Sequence, residues 1–142
     1  MKSQLFWLMP NHVLYWKLSG DIPSDELCAM ARFIAEQAAQ TKNSKIHIIL
    51  DGNGIQQIDH MSVDARTAFQ TLAKNSRIGN VVAVMGNLKT QIQFNSLSRP
   101  FGLNWRNTTS FADAVYHLKN ADGALRTIPS QPPSETPLQR AS

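Results

Sequence analysis

Short apolar runs alternate with amphipathic stretches along most of the chain. Two apolar runs near the start, 5–9 and 13–18, are separated by Pro10-Asn11, a pair that favours a turn. Because this connection is so short, we expect the two runs to form an antiparallel hairpin.

The middle of the chain has the pattern of a layered α/β domain. Two runs, 46–50 and 81–85, are apolar at nearly every position, which is typical of strands buried on both faces. Leu103 and Trp105 alternate with polar neighbours, which predicts a short edge strand. Apolar residues recur at helical spacing in four stretches, 24–40, 62–73, 88–98 and 111–121. The element order β-β-α-β-α-β-α-β-α predicts an α/β fold with a mainly parallel central sheet and an antiparallel N-terminal hairpin strand.

Chain length and local composition predict one domain. The 142 residues are 42% apolar and 17% charged, which is ordinary for a globular protein. After Asp122 the composition changes, and four prolines lie among Ser, Gln, Thr and Arg. We therefore expect a domain over residues 1–122 and a disordered Pro-rich tail over 123–142.

Several classes of protein are disfavoured by composition and charge. No apolar run approaches the roughly 20 residues of a membrane-spanning helix, and the N-terminus lacks a signal-peptide pattern, so we expect a cytoplasmic protein. The net charge of +4 comes from scattered basic residues, so nucleic-acid binding is not expected. Cys28 is the single cysteine, which excludes an intramolecular disulfide and a cysteine zinc site; we expect a buried thiol in a helix.

Polar residues cluster after the third predicted strand. Asp51, Asn53, Asp59, His60 and Asp64 bracket the segment that leads to the second helix. Open α/β sheets usually bind ligands at this end of their strands. The aspartates are also suited to stabilising the Asn53-Gly54 turn and the helix N-terminus, and we favour that role over a metal site.

No sequence motif indicates an enzyme. The chain has no nucleophile elbow, no phosphate-binding loop and no dinucleotide fingerprint, and its four histidines have no metal-ligand spacing. His47 lies in a buried strand and is expected to be a hydrogen-bonded core residue. We predict a protein without catalytic residues and without a cofactor.

Four segments in order resemble a known family. They are Leu18-Ser19-Gly20-Asp21, Ile48-Ile49-Leu50-Asp51 with Ile55 and Asp59, 81–86, and the closing helix 111–118. Together, from Val13 to Asp122, they resemble a STAS domain, the anti-sigma-factor-antagonist type, in the broad sense that includes bacterial STAS-like proteins related in shape to CRAL-TRIO lipid-transfer domains. The resemblance implies a bacterial signalling module that works by binding.

The resemblance also implies a site of phosphorylation. In anti-sigma-factor antagonists a serine at the start of the second helix is phosphorylated by a partner kinase. In this sequence the aligned position falls on Met61, and Ser62 is offset by one residue. We favour Ser62 as a helix cap, with a phosphosite as the alternative.

The function predicted from these observations is recognition of a protein partner or a small ligand. The predicted binding residues are Asp51, Asn53, Asp59, His60, Ser62 and Arg66, on the loop and the second helix. Two alternatives are a carrier of lipids or other apolar molecules with an internal pocket, and a small enzyme using Asp51, Asp59 and His60. We expect the tryptophans Trp7, Trp16 and Trp105 to line an apolar pocket or a homodimer surface, the latter formed through the N-terminal strand.

Overall fold

The structure is a computed structural model that describes residues 3–41, 45–58, 63–89, 91–92, 105–129 and 139–140. Its elements are β1 (Ser3–Met9), β2 (Val13–Ile22), α1 (Ser24–Gln40), β3 (Ile46–Ile58), α2 (Val63–Lys74), β4 (Ile78–Val84), β5 (Trp105–Thr108), α3 (Phe111–Ala121), a 3₁₀ turn (Gly123–Leu125) and β6 (Gln139–Arg140). Of the predicted third helix, residues 88–89 and 91–92 are helical, and the remainder lies outside the described residues.

A single sheet organises the fold, with strand order β5-β4-β3-β2-β1-β6. The pairs β2–β3, β3–β4 and β4–β5 are parallel, and β1 is antiparallel to β2. The two-residue β6 pairs antiparallel with the outer edge of β1. The predicted α/β fold, with its mainly parallel sheet and antiparallel hairpin strand, is confirmed.

The sheet separates two hydrophobic clusters because successive strand side chains point to opposite faces. On one face Trp16 and Ile48 pack with Met30 and Ile34 of α1 and with Leu72 of α2. On the other face the strands pack against α3, and the buried residues there include Tyr15, Ile49, Val82, Val115 and Leu118. The two continuously apolar runs of the sequence are therefore strands covered on both faces, as predicted.

The strands β2 and β3 are longer than predicted. Ser19-Gly20-Asp21 and the segment 51–54 were expected to end them, but their pairing continues to Ile22 and Ile58. The register passes from Lys17↔Asp51 to Ser19↔Gly54 and again from Gly20↔Ile55 to Asp21↔Gln57, so β3 holds one extra residue as a bulge at each of these two places. A Cβ on Gly54 would come within 2.9 Å of the Ser19 Cβ, which explains why glycine is needed for this close approach. The predicted turn at 51–54 is wrong; the segment is a bulged strand.

The folded body continues past Asp122, where the sequence predicts a disordered tail. Leu125 and Ile128 follow the 3₁₀ turn and are buried in the cluster beneath α3. The division into a domain over residues 1–122 and a disordered tail stays a prediction. None of the helices in the described ranges is both long enough and apolar enough to cross a bilayer.

Candidate functional site

The central feature of the predicted site is a hydrogen bond between Tyr15 and Asp51. The Tyr15 hydroxyl donates to Asp51 Oδ2 at 2.5 Å. Tyr15 is opposite Ile49 in the register, so Asp51 is two residues further along the same face of β3. The phenol ring is buried, 5.8 Å from the ring of Phe6 and 5.4 Å from that of Phe111 between ring centroids.

The environment keeps Tyr15 protonated. Burial raises the pKa of the phenol far above its ordinary value, and the hydrogen bond to Asp51 and the negative charge of Asp51 raise the pKa further. Tyr15 therefore acts as a fixed donor to Asp51. It is unsuited to the role of a general base at neutral pH.

Asp51 and Asn53 together close the end of the sheet between β3 and β4. Asp51 Oδ1 accepts the backbone N–H of Asn53 at 3.0 Å. Asn53 Oδ1 in turn accepts the N–H of Gly86, the second residue after β4, at 2.8 Å. Each oxygen of Asp51 thus accepts one hydrogen bond from within the protein, which fixes the orientation of this carboxylate.

The same end of the sheet exposes large apolar side chains. Val63, the first residue of α2, is 78% exposed, and Leu88 and Ile92 in the segment after β4 are 69% and 57% exposed. Because these segments follow β3 and β4 along the chain, we expect them on the same side of the sheet as Asn53. We call Asp51, Asn53, Val63, Gly86 and Leu88 the carboxyl rim.

The opposite end of β3 is held by His47, which is 4% exposed. Its Nδ1 accepts the N–H of Asn80 at 3.0 Å, so Nε2 carries the proton and donates to Asp122 Oδ2 at 3.1 Å. A Cβ on Gly79 would lie 2.6 Å from Nδ1. Both ring nitrogens are occupied, and the prediction of a hydrogen-bonded core histidine is confirmed.

A cleft of about 560 Å³ lies between α3 and the amino-terminal halves of β4 and β5. Arg106 of β5 donates from Nη1 to His117 Nδ1 of α3 at 2.8 Å. The sequence did not predict this pair, because Arg106 is on a strand and His117 is on the following helix, and no motif marks the two side chains as neighbours. Two features of the sequence could have indicated it. Arg106 is next to Trp105 on the predicted edge strand, and the helix that follows carries the polar His117 beside the apolar Leu118.

All three predicted tryptophans lie on described strands, and the side chains of Trp7 and Trp16 are described, whereas that of Trp105 is not. Trp16 is buried in the core beneath α1, so it lines neither a pocket nor a dimer surface. Trp7 is half-buried against the same core, on the strand whose outer edge meets β6 at Gln4 and Leu5. A homodimer through β1 stays a prediction.

Comparison with solved structures identifies the architecture. The chain is similar to the anti-sigma factor antagonist SpoIIAA in its unphosphorylated form, with a TM-score of 0.58, 14% sequence identity and coverage of 82% of this chain and 97% of that chain. It is also similar to an uncharacterised protein of the DUF3478 family from Shewanella loihica PV-4, with a TM-score of 0.57, 13% identity and coverage of 82% and 91%. The fold is SpoIIAA-like. No protein-family model matches the chain, and no curated protein matches it.

Within this SpoIIAA-like fold the predicted site is only partly described. Asp51 and Asn53 lie together at the carboxyl rim. Asp59, His60 and Ser62 lie outside the described residues, and Arg66 is on α2 with its side chain outside them. Among the described residues, no three His, Cys, Asp or Glu side chains are grouped so that they could hold a metal ion.

Proposed function

We propose that the chain is a non-catalytic binding module that recognises a protein partner through the carboxyl rim and the exposed side of α2. The observation that carries the proposal is the fixed polar network from Asp51 to Asn53 to Gly86, and the exposed Val63 at the start of the helix that follows β3 supports it. Arg66, Asp59, His60 and Ser62 belong to the same proposed surface by sequence position.

The chemistry of the rim suits a protein surface. Large exposed apolar side chains grouped at one place on a folded domain are typical of an interaction site. Polar groups held in place by hydrogen bonds add orientation and specificity without the entropy cost of ordering flexible side chains. The similar structure of SpoIIAA, an anti-sigma factor antagonist, supports a regulatory role of this type.

A catalytic function has less support. Asp51 accepts hydrogen bonds on both oxygens, and His47 uses both nitrogens. Tyr15 and Asn53 hold Asp51 in one orientation, which is the role of a structural acceptor. A lipid carrier would need an apolar interior, whereas the cleft under α3 has Arg106, His117, Asn80 and Asn120 on its walls.

The proposal is tested by affinity capture from a lysate of the source organism, followed by purification of the recovered partner and titration calorimetry. Val63→Asp is expected to weaken binding at least tenfold, because it places a charge in an apolar contact. Tyr116→Asp is the matched control, since Tyr116 is 63% exposed on α3 and lies away from the rim. Equal affinities for wild type and Val63→Asp would refute the rim as the binding surface.

We further propose that phosphorylation of Ser62 regulates this surface. A phosphoryl group would add nearly two negative charges beside the start of α2. Phosphopeptide mass spectrometry on protein from the native host checks for the modification, and calorimetry with Ser62→Glu checks its effect on the partner. Unchanged affinity for the modified protein would contradict regulation at this position.

A further inference from the structure

The cleft under α3 is separate from the carboxyl rim. It lies at the amino-terminal halves of β4 and β5, beside the last two turns of α3. In a parallel sheet this is the edge opposite the rim. Its walls are formed by Asn80, Val81, Val82, Arg106, Tyr116, His117, Leu118, Asn120 and Ala121.

Arg106 supplies the cleft with a positive charge of fixed orientation. Because arginine is always protonated, Arg106 is the donor in its contact with His117. His117 Nδ1 is therefore the acceptor and carries no proton. The contact of Arg106 that the described residues show is the one with His117, and no described carboxylate is paired with its guanidinium. One N–H of the guanidinium orients it on the histidine, and its other N–H groups are available to a ligand.

Among the other walls of the cleft, the Tyr116 ring offers an exposed, flat apolar surface. Val82 and Leu118 form part of the buried cluster beneath the cleft. The Tyr116 ring is 63% exposed and is perpendicular to the His117 ring, with 6.0 Å between centroids. Small-molecule sites usually combine such an apolar surface with a few convergent polar groups, in volumes of about 300–1,000 Å³. The cleft, at about 560 Å³, is of this size.

We propose that this cleft binds a small organic carboxylate with a planar apolar ring. The carboxylate pairs with the guanidinium of Arg106, and the ring lies beside Tyr116. A guanidinium matches the two oxygens of a carboxylate with two parallel hydrogen bonds. One guanidinium held by a neutral imidazole supplies a single positive charge, which suits a monoanion better than a phosphate dianion. The proposal does not depend on the function proposed for the rim.

The test is titration of the ¹⁵N-labelled full chain with 2-naphthoate, followed by NMR. We expect the largest shifts at the amides of residues 80–82 and 116–121. The neutral 2-naphthamide and the ring-free acetate are each expected to bind at least tenfold more weakly, and so is phenyl phosphate as its dianion. Shifts confined to other parts of the protein, or none, would overturn the proposal.

Variants separate the specific contact from general charge attraction. Arg106→Gln is expected to weaken 2-naphthoate binding at least tenfold, and Tyr116→Ala about threefold, in keeping with the modest energy of one ring contact. Lys119→Gln is the matched control, because it removes one positive charge from α3 outside the cleft walls. Equal weakening by Arg106→Gln and Lys119→Gln would overturn the assignment. Thermal unfolding of each variant confirms that it is folded.

Discussion

The pairing of β3 with β4 runs from Ile46↔Ile78 to Asp51↔Val84, and near each end a β3 side chain accepts a backbone N–H from the chain of β4, in opposite surroundings. At the amino end, the buried His47 accepts the N–H of Asn80. At the carboxyl end, the exposed Asn53 accepts the N–H of Gly86. Each bond ties a β3 side chain to backbone of the neighbouring strand or the residues after it.

The difference shows which end of the pairing is buried within the fold and which end is exposed and accessible to a partner. Both ring nitrogens of His47 are already hydrogen-bonded, because the second one contacts Asp122, and Gly79 packs closely against the ring. Asn53 lies among exposed side chains and can be solvated or covered. A buried polar contact stabilises the fold more than an exposed one, since water replaces the exposed partner when it is lost.

The largest expected effect is at the closed end. Gly79→Ala would place a methyl group 2.6 Å from His47 Nδ1, and the ring cannot shift without losing its hydrogen bonds. We expect the free energy of unfolding to fall by about 3 kcal/mol, as for an overpacked core. Urea denaturation measures the loss. Gly123→Ala is the control, because its Cβ would meet nothing within 4 Å; a loss in that variant as large as in Gly79→Ala would contradict the steric explanation.

Replacement of His47 itself has the next largest effect. His47→Phe keeps a ring but removes the hydrogen bonds with Asn80 and Asp122. We expect a loss of about 2 kcal/mol, the usual cost of disrupting buried polar groups. His117→Phe, on the half-exposed side of α3, is expected to change stability by less than about 0.5 kcal/mol. Similar losses of unfolding free energy in both variants would show that burial does not determine how much these hydrogen bonds contribute to stability.

Between the two ends, Tyr15 makes stability depend on alkaline pH. Its pKa is raised in the folded state above the ordinary value of about 10. Below pH ~10 both states hold the proton; above it the unfolded state loses the proton and the folded state does not, so stability falls as pH rises. Tyr15→Phe should cost about 1 kcal/mol at neutral pH, the usual value of one hydrogen bond.

This pH dependence has a direct measurement. The difference in unfolding free energy between wild type and Tyr15→Phe is expected to shrink by about 1 kcal/mol between pH 10 and 11. Tyr116→Phe, at the other tyrosine of the chain, is the control and should keep the wild-type slope. An unchanged difference across this range would show that Tyr15 ionises in the folded protein as it does in the unfolded chain.

The smallest expected effect is at the open end. Asn53→Ala removes the acceptor of the Gly86 N–H, which water can replace. We expect a loss of about 0.5 kcal/mol, at the low end for a hydrogen bond. Asn120→Ala, at another exposed asparagine, serves as the control. A cost at Asn53 equal to that of His47→Phe would remove the distinction between the two ends.

The parts of the fold that depend on local pattern could be predicted from the sequence. The apolar runs 46–50 and 81–85 gave the central strands, and Ser110 caps α3 by accepting the N–H of Asp113, as its position before the helix predicts. His47 was recognisable because a single histidine in an apolar strand needs partners. These features are encoded within a few residues of one another.

Features that depend on pairing between distant segments could not be predicted. The segment 51–54 has the composition of a turn, and only the close packing of Gly54 on Ser19 makes it a bulged strand. Leu125 and Ile128 are isolated apolar residues in a polar stretch, and their burial follows from the position of α3. The same holds for the site: the register of β2 on β3 brings Tyr15 to Asp51, and the face of β5 that meets α3 brings Arg106 to His117.

The pairing of Gln4 with Arg140 places residues from the two ends of the sequence on one edge of the sheet. Because β6 occupies the outer edge of β1 at Gln4 and Leu5, another strand can pair with β1 at these two residues only after β6 has moved away. Energy transfer between two fluorophores attached near residues 4 and 140 would report whether β6 stays paired with β1.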